Sequence, residues 1–218
     1  MNKWEYVDWG LISYAEAYEK QKALFEATIE RKTAGESVRN TVIFCEHPHV
    51  ITLGKHGLDA NLLFPEEILK EKQVELFRTD RGGDITYHGP GQLVGYPIVS
   101  LRKRGLLVLE FLRMLEESLI QTLAHFGIAG GRDSRNRGVW VGENKIAAIG
   151  IRVSRGVSMH GFALNVDPNM AHFGGIIPCG LATTGVTSMR HELGHAVAMD
   201  EVKQAYVRSF RNVFDVVN

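Results

Sequence analysis

The sequence predicts an α+β domain built on a largely antiparallel sheet flanked by helices. Segments with strand character come in neighbouring pairs, which reads as hairpins. A few helical segments separate those pairs, without the regular strand–helix alternation of a parallel sheet. The 218 residues, 44% of them apolar, can bury a substantial interior. No repeat, low-complexity tract or linker divides them, so 1–218 is expected to be a single domain.

The elements follow in order. Positions 13–36 have helical character: Ser13 and Glu16 stand at capping-box spacing, and Leu24, Ala27 and Ile29 lie among many charges. Strands are expected at 41–46 and 50–53, around a His47-Pro48 turn. A short helix at 65–72 opens on Pro65, where a missing amide hydrogen costs little. Alternation marks a strand at 74–78. Another is expected at 93–99, where Pro97 argues for an edge or a distortion. The clearest helix is 106–126, with Leu109, Leu112, Leu115, Leu119 and Leu123 at helical spacing and Gly127 to stop it. Strands at 139–141 and 146–153 make a hairpin about Gly142-Glu143-Asn144, and 158–166 follows. From 200 to 214, Val202, Ala205, Tyr206, Ser209 and Phe210 share one side of a helix.

Lys+Arg and Asp+Glu balance at 25 each, so no global charge draws the chain to nucleic acid or an anionic membrane. Arg102-Lys103-Arg104, then Arg132, Arg135 and Arg137, then Arg152 and Arg155 are local basic groups with which an acidic partner would dock. The two cysteines, Cys45 and Cys179, are too few for a secreted disulfide scaffold. The first residues lack the apolar stretch of a signal peptide, and no apolar run approaches the ~20 residues of a membrane span. A cytoplasmic protein is expected, with no membrane or nucleic-acid partner.

Three places carry chemistry. In Arg81-Gly82-Gly83-Asp84-Ile85-Thr86-Tyr87-His88-Gly89-Pro90-Gly91-Gln92, four glycines accompany an arginine and two polar rings. Such backbone approaches a ligand closely, although a tight turn explains the glycines as well. It is not a dinucleotide fingerprint, because the third glycine comes late and a strand follows. No phosphate-binding G-x-x-x-x-G-K-[ST] occurs. Cys179, between Pro178 and Gly180, sits at a sharp bend that would leave sulfur on a cleft wall, whereas Cys45 within an apolar strand reads as inert core. Lys145 opens the apolar run 146–151. It is either a solvated lysine at a turn or a desolvated one tuned for proton transfer.

A rival motif is His191-Glu192-Leu193-Gly194-His195, which matches the zinc-hydrolase pattern H-E-x-x-H. Against it, Ala198 and Glu201 stand where the extended pattern has glycine and histidine, and Gly194 weakens the helix.

R-G-G-D-I-T-Y-H-G-P-G-Q at 81–92, G-V-W-V-G-E-N-K-I-A-A-I-G at 138–150, M-H-G-F-A-L-N-V at 159–166 and P-C-G at 178–180 resemble the lipoyl/octanoyl transferases in order and spacing. E-H-P-H-V-I-T-L-G at 46–54 resembles that family's first core segment, so the likeness spans roughly 40–190. It implies a biotin/lipoyl-protein-ligase-like fold. It implies an acyltransferase that moves an octanoyl group from octanoyl-acyl carrier protein to a lysine of apo lipoyl domains, those of 2-oxoacid dehydrogenase and glycine cleavage proteins. The catalytic residues it implies are Cys179, as acyl thioester, and Lys145. Substrate contacts map to Arg81, Gly82, Gly83, Asp84, Ile85, Thr86, Tyr87 and His88, to Ala148, Ile149 and Gly150, and to Gly161, Phe162 and Ala163. His88 and His160 are expected at the pocket, and the small residues at 147–150 and 161–163 are expected to leave room for the acyl chain. No cofactor or metal is expected, a monomer is the expected state, and the 191–195 histidines become incidental to a surface helix.

Overall fold

The computed structural model describes residues 4–177 and 185–215. β1 (Trp4–Leu11) lies outside the expected elements and runs parallel to β2 (Asn40–Glu46). Between them α1 (Tyr14–Thr33) starts where the capping spacing put it, with Ser13 Oγ accepting from the Glu16 amide. β3 (Val50–Leu53), β4 (Glu75–Arg78) and β5 (Ile85–His88) form a three-stranded sheet of their own, order β4-β3-β5, with the short α2 (Glu66–Glu71) packed beside it.

The larger sheet takes in β6 (Gln92–Ile98), β7 (Gly138–Val141), β8 (Asn144–Ser154), β9 (Val157–Asn165) and β10 (Gly185–Val186). Its order is β1-β2-β6-β9-β8-β10, with β7 also paired to β8. Parallel pairs occur at β1–β2, β3–β4 and β8–β10, and the rest are antiparallel. The sheet is therefore mixed and mainly antiparallel.

Period-2 alternation sends Val42 and Phe44 of β2 to one face and Ile43 and Cys45 to the other. α3 (Val108–His125) and α5 (Met199–Phe214) cover the first face, and α1 covers the second. α5 buries Val202, Ala205, Tyr206, Ser209, Phe210 and Phe214, the face its periodicity marks. Trp4 of β1 sits edge-on against Phe210, at 4.7 Å between ring centroids, and its indole donates to Asp215 at 2.8 Å.

Pro97 does not mark an edge, because β6 lies between β2 and β9. It marks a distortion. The β6–β9 register runs only over Gln92–Gly95 against Phe162–Asn165, and it lapses before Pro97. In that lapse His160 takes φ +61° and Ser158 Oγ donates to the Pro97 carbonyl. A residue without an amide hydrogen is tolerated where the ladder is already open.

Candidate active site

The glycine-rich segment folds as a loop running into β5, and its bonds clamp it between the two sheets. Gly82 N donates to Ile151 O of β8 at 2.9 Å, and Lys55 N donates to Arg81 O. The Arg81 guanidinium donates to the Thr52 carbonyl and hydroxyl at 2.8 and 2.9 Å. The Asp84 carboxylate accepts from Asn61 at 2.6 Å and from the Leu58 amide at 3.2 Å. Gly83 and Gly91, at φ +90° and +84°, supply turns that other residues adopt with strain.

Between this segment and strands β6, β8 and β9 lies a cleft of about 840 Å³, part of it open to solvent. Arg81, Gly83, Asp84, Ile85, Thr86 and His88 line it, as do Lys145, Ala148, Ile149, Gly150, Gly161, Phe162 and Ala163. Gly82 and Tyr87 do not: Gly82 meets β8 through its backbone, and Tyr87 points into the smaller core. There its hydroxyl lies 2.7 Å from His49 Nδ1 and its ring stacks on His172. Tyr14, Gln92, Tyr96, Asn136, Asn165 and Phe173 also line the cleft. Gln92 and Asn165 lie inside motifs the sequence displays, while Tyr14 and Tyr96 carry no sequence signal and reach the site through tertiary packing.

Two small residues of the wall also let backbone segments approach each other. Gly150 and Gly161 face each other in the β8–β9 register. A Cβ on Gly150 would stand 2.7 Å from Gly82 O, and one on Gly161 would stand 2.0 Å from Gly95 O. Their bareness admits neighbouring backbone at the cleft wall.

Lys145, at the start of β8, is 8% exposed. Its Nζ lies 5.4 Å from the centre of the Trp140 ring, its partner across the β7–β8 register. Its stem passes over Gly138, where a Cβ would come within 2.7 Å of Lys145 Cε. Lys145 also pairs with Val186 of β10.

Two histidines face the cleft with different partners. The His160 ring nitrogen Nε2 is 2.8 Å from Asp80, which also binds Arg152. The His160 bond is the main cause holding the Asp80 carboxyl below its usual range. His88 Nδ1 is 2.7 Å from Gln92 Oε1. Burial, with His47 adding to it, lowers the His88 pKa to about 3, so the ring is neutral. Cys45 does not line the cleft: it is fully buried beside His47, and desolvation pushes its thiol well up. Cys179 lies outside the described residues.

The zinc pattern does not form its helix. α4 (Met189–Leu193) is capped by Ser188 and closed by Gly194 at φ +75°. His195 therefore lies beyond the helix, its Nδ1 3.1 Å from Leu193 O. Glu192 accepts from Thr187. Two metal ligands four residues apart need one unbroken turn, and Gly194 interrupts it.

The model of the lipoyl protein ligase A/B catalytic domain matches residues 13–211. The chain belongs to that family. Among its curated members, an octanoyltransferase of Bacteroides thetaiotaomicron is 50% identical over 203 residues, covering 91% of this chain and 89% of that one. The architecture agrees with solved structures of the same fold. A bi-partite lipoate protein ligase of Thermoplasma acidophilum superposes with a TM-score of 0.74 at 16% identity, covering 99% of this chain and 85% of that one. A biotin protein ligase from Aquifex aeolicus gives 0.55 at 14% identity, covering 99% and 71%. The biotin/lipoyl-ligase-like fold is thus the fold of this family member.

Proposed function

We propose that the protein is an octanoyltransferase of lipoate biosynthesis. It moves an octanoyl group from octanoyl-acyl carrier protein to a lipoyl-domain lysine through a thioester on Cys179. The observation that carries this reading is the 50% identity, over 91% of the chain, to a protein named octanoyltransferase. The geometry supports the mechanism. Lys145 is buried on the wall of a largely apolar cleft. The segment that carries Cys179 is flanked by Ile177, whose amide donates to Asn61 O at 2.8 Å, and by β10, which pairs beside Lys145.

In the first half-reaction the Cys179 thiolate attacks the thioester carbonyl. A new C–S bond forms, the old one breaks, and the carrier thiol leaves with a proton. Lys145, as an ammonium, favours the thiolate. Thioester exchange is nearly balanced, so no nucleotide is consumed. Burying the acyl chain contributes about 0.8 kcal/mol per methylene before costs. In the second half-reaction the acceptor amine attacks, the amide forms and the Cys179 sulfur leaves. The acceptors are the lipoyl domains of 2-oxoacid dehydrogenase and glycine cleavage proteins. The enzyme works in the cytoplasm as a single-domain monomer.

Mass spectrometry after mixing the protein with octanoyl-acyl carrier protein tests this. An octanoyl adduct on Cys179 that disappears when apo lipoyl domain is added is the expected result. Cys179→Ser abolishes transfer, and Cys45→Ala, buried behind the cleft wall rather than lining it, keeps it. A dead Cys45→Ala beside an active Cys179→Ser reverses the site assignment. ATP-dependent pyrophosphate release would instead make the protein a ligase.

A further inference from the structure

A hydrogen-bonded chain runs beneath the cleft from His88 to the backbone of Lys145. Gln92 Nε2 donates to Tyr87 O at 3.2 Å and to Asn165 Oδ1 at 2.9 Å. Asn165 Nδ2 donates to Thr187 O at 3.0 Å, and Thr187 N donates to Lys145 O at 3.0 Å. Two of the acceptors, Tyr87 O and Thr187 O, are backbone carbonyls, which only accept. They fix both amides. Asn165 turns its NH₂ to Thr187 and its oxygen to Gln92. Gln92 turns its NH₂ to Tyr87 and Asn165, and its oxygen to His88. The only atom left for His88 Nδ1 is therefore an acceptor, so Nδ1 carries the ring proton and Nε2 carries the lone pair. Among the described residues no hydrogen bond reaches Nε2, nor is it among the fully buried atoms without a partner. His88 lines the cleft, so this nitrogen is open to it.

We propose that His88 Nε2 is a fixed hydrogen-bond acceptor for the attacking amine, and that Gln92 and Asn165 are positioning residues which hold it so. The assignment rests on the octanoyl-transfer reading and deepens it. The two half-reactions present different atoms to this nitrogen. The thioester offers a carbonyl oxygen and a sulfur at the reacting centre, both electron-rich, and a lone pair gains nothing from either. The acceptor lysine offers N–H. Accepting from one N–H turns the nitrogen's own lone pair toward the carbonyl carbon. When the C–N bond has formed and the C–S pair has gone to the Cys179 sulfur, the surplus amine proton leaves to solvent. His88 ends neutral, as its burial beside His47 favours.

Two measurements test this together. Long-range ¹H–¹⁵N correlation spectra should show His88 protonated at Nδ1 and bare at Nε2. In Gln92→Leu, which removes the acceptor at Nδ1, the two tautomers should mix, an effect a merely structural role would not produce. Single-turnover kinetics should separate the half-reactions. His88→Phe should pass the octanoyl group from Cys179 to apo lipoyl domain about 10–100-fold more slowly, the size of a hydrogen bond made to a reacting group, and should slow formation of the Cys179 adduct by a clearly smaller factor. His88→Gln, which returns an acceptor near the Nε2 position, should recover most of the loss. Equal slowing of both half-reactions, or a proton found on Nε2, overturns the proposal alone. A parent protein that forms no adduct, with the tautomer as assigned, overturns the octanoyl-transfer reading and the amine assignment with it.

Discussion

His47 and His88 lie 5.9 Å apart between ring centroids, and burial keeps both neutral, with pKa values lowered to about 4 and about 3 from 6.5. Above pH 6.5 neither folded nor unfolded chain protonates these rings, and the stability they permit is fully present. As the pH falls below 6.5 the unfolded chain takes up protons that the folded chain refuses. Stability then drops by roughly 1.4 kcal/mol per pH unit for each ring, until the folded rings titrate in turn. Urea midpoints should therefore fall steadily between pH 6.5 and 4.5. A flat midpoint over that window would show that the rings are not held neutral. The same part of the fold seals Cys45 among aromatic and apolar groups.

At the scale of elements, the β6–β9 contact governs how closely the cleft walls approach. Gly161→Ala places a methyl against Gly95 O, a backbone atom that cannot step aside. The expected cost is about 1–3 kcal/mol, read as a Tm lower by roughly 2–4 °C per kcal/mol. An unchanged Tm would mean that the strands separate there freely. Two helix ends were legible in the sequence: Ser13 and Gly127 mark ends that the structure keeps. The face of α1 was not: Leu24 and Ala27 are exposed, and the buried stripe is Tyr14, Ala17, Gln21, Phe25 and Ile29, in which a polar Gln21 hides the pattern. Leu109 likewise lies outside the buried face of α3. The hairpin about Gly142 was legible for the same kind of reason, since φ +54° there suits glycine. β5 was not, because its four residues are hidden in a glycine-rich stretch whose pattern reads as loop. β1 was not, because an edge strand pairs with residues some thirty-five positions away and carries no local turn to announce it. The site divides likewise. Motif residues such as Arg81 and His88 stood out by composition, but the sequence did not reveal that Arg81 would spend donors on Thr52 or that Tyr87 would face the smaller core. Tertiary register decides such directions.

For the whole molecule, the family fold sets two sheets against each other with the cleft at their junction, and long-range ties hold the arrangement. Lys203 of α5 pairs with Asp8 of β1 at 2.6 Å, and Arg104 packs over Trp4 and donates to Phe214 O. The charged cluster that looked ready to greet an acidic partner is partly spent inside the protein. Arg132 pairs with Glu116 and Glu117, and Arg135 with Asp133 and Glu143. Among the described residues no helix is long and apolar enough to cross a membrane.

The bond from Trp4 to Asp215 has a consequence for chain connectivity. Residues at opposite ends of the described chain are already neighbours, so a short glycine–serine bridge would span them without strain. Cutting the covalent thread at the exposed Ala34–Gly35 turn, behind α1, would then give a rearranged polypeptide with the same contacts. That permutant should purify as a soluble, cooperatively melting protein and accept an acyl group at the parent's rate. Failure to fold would mean that β1 must follow its present order to find β2.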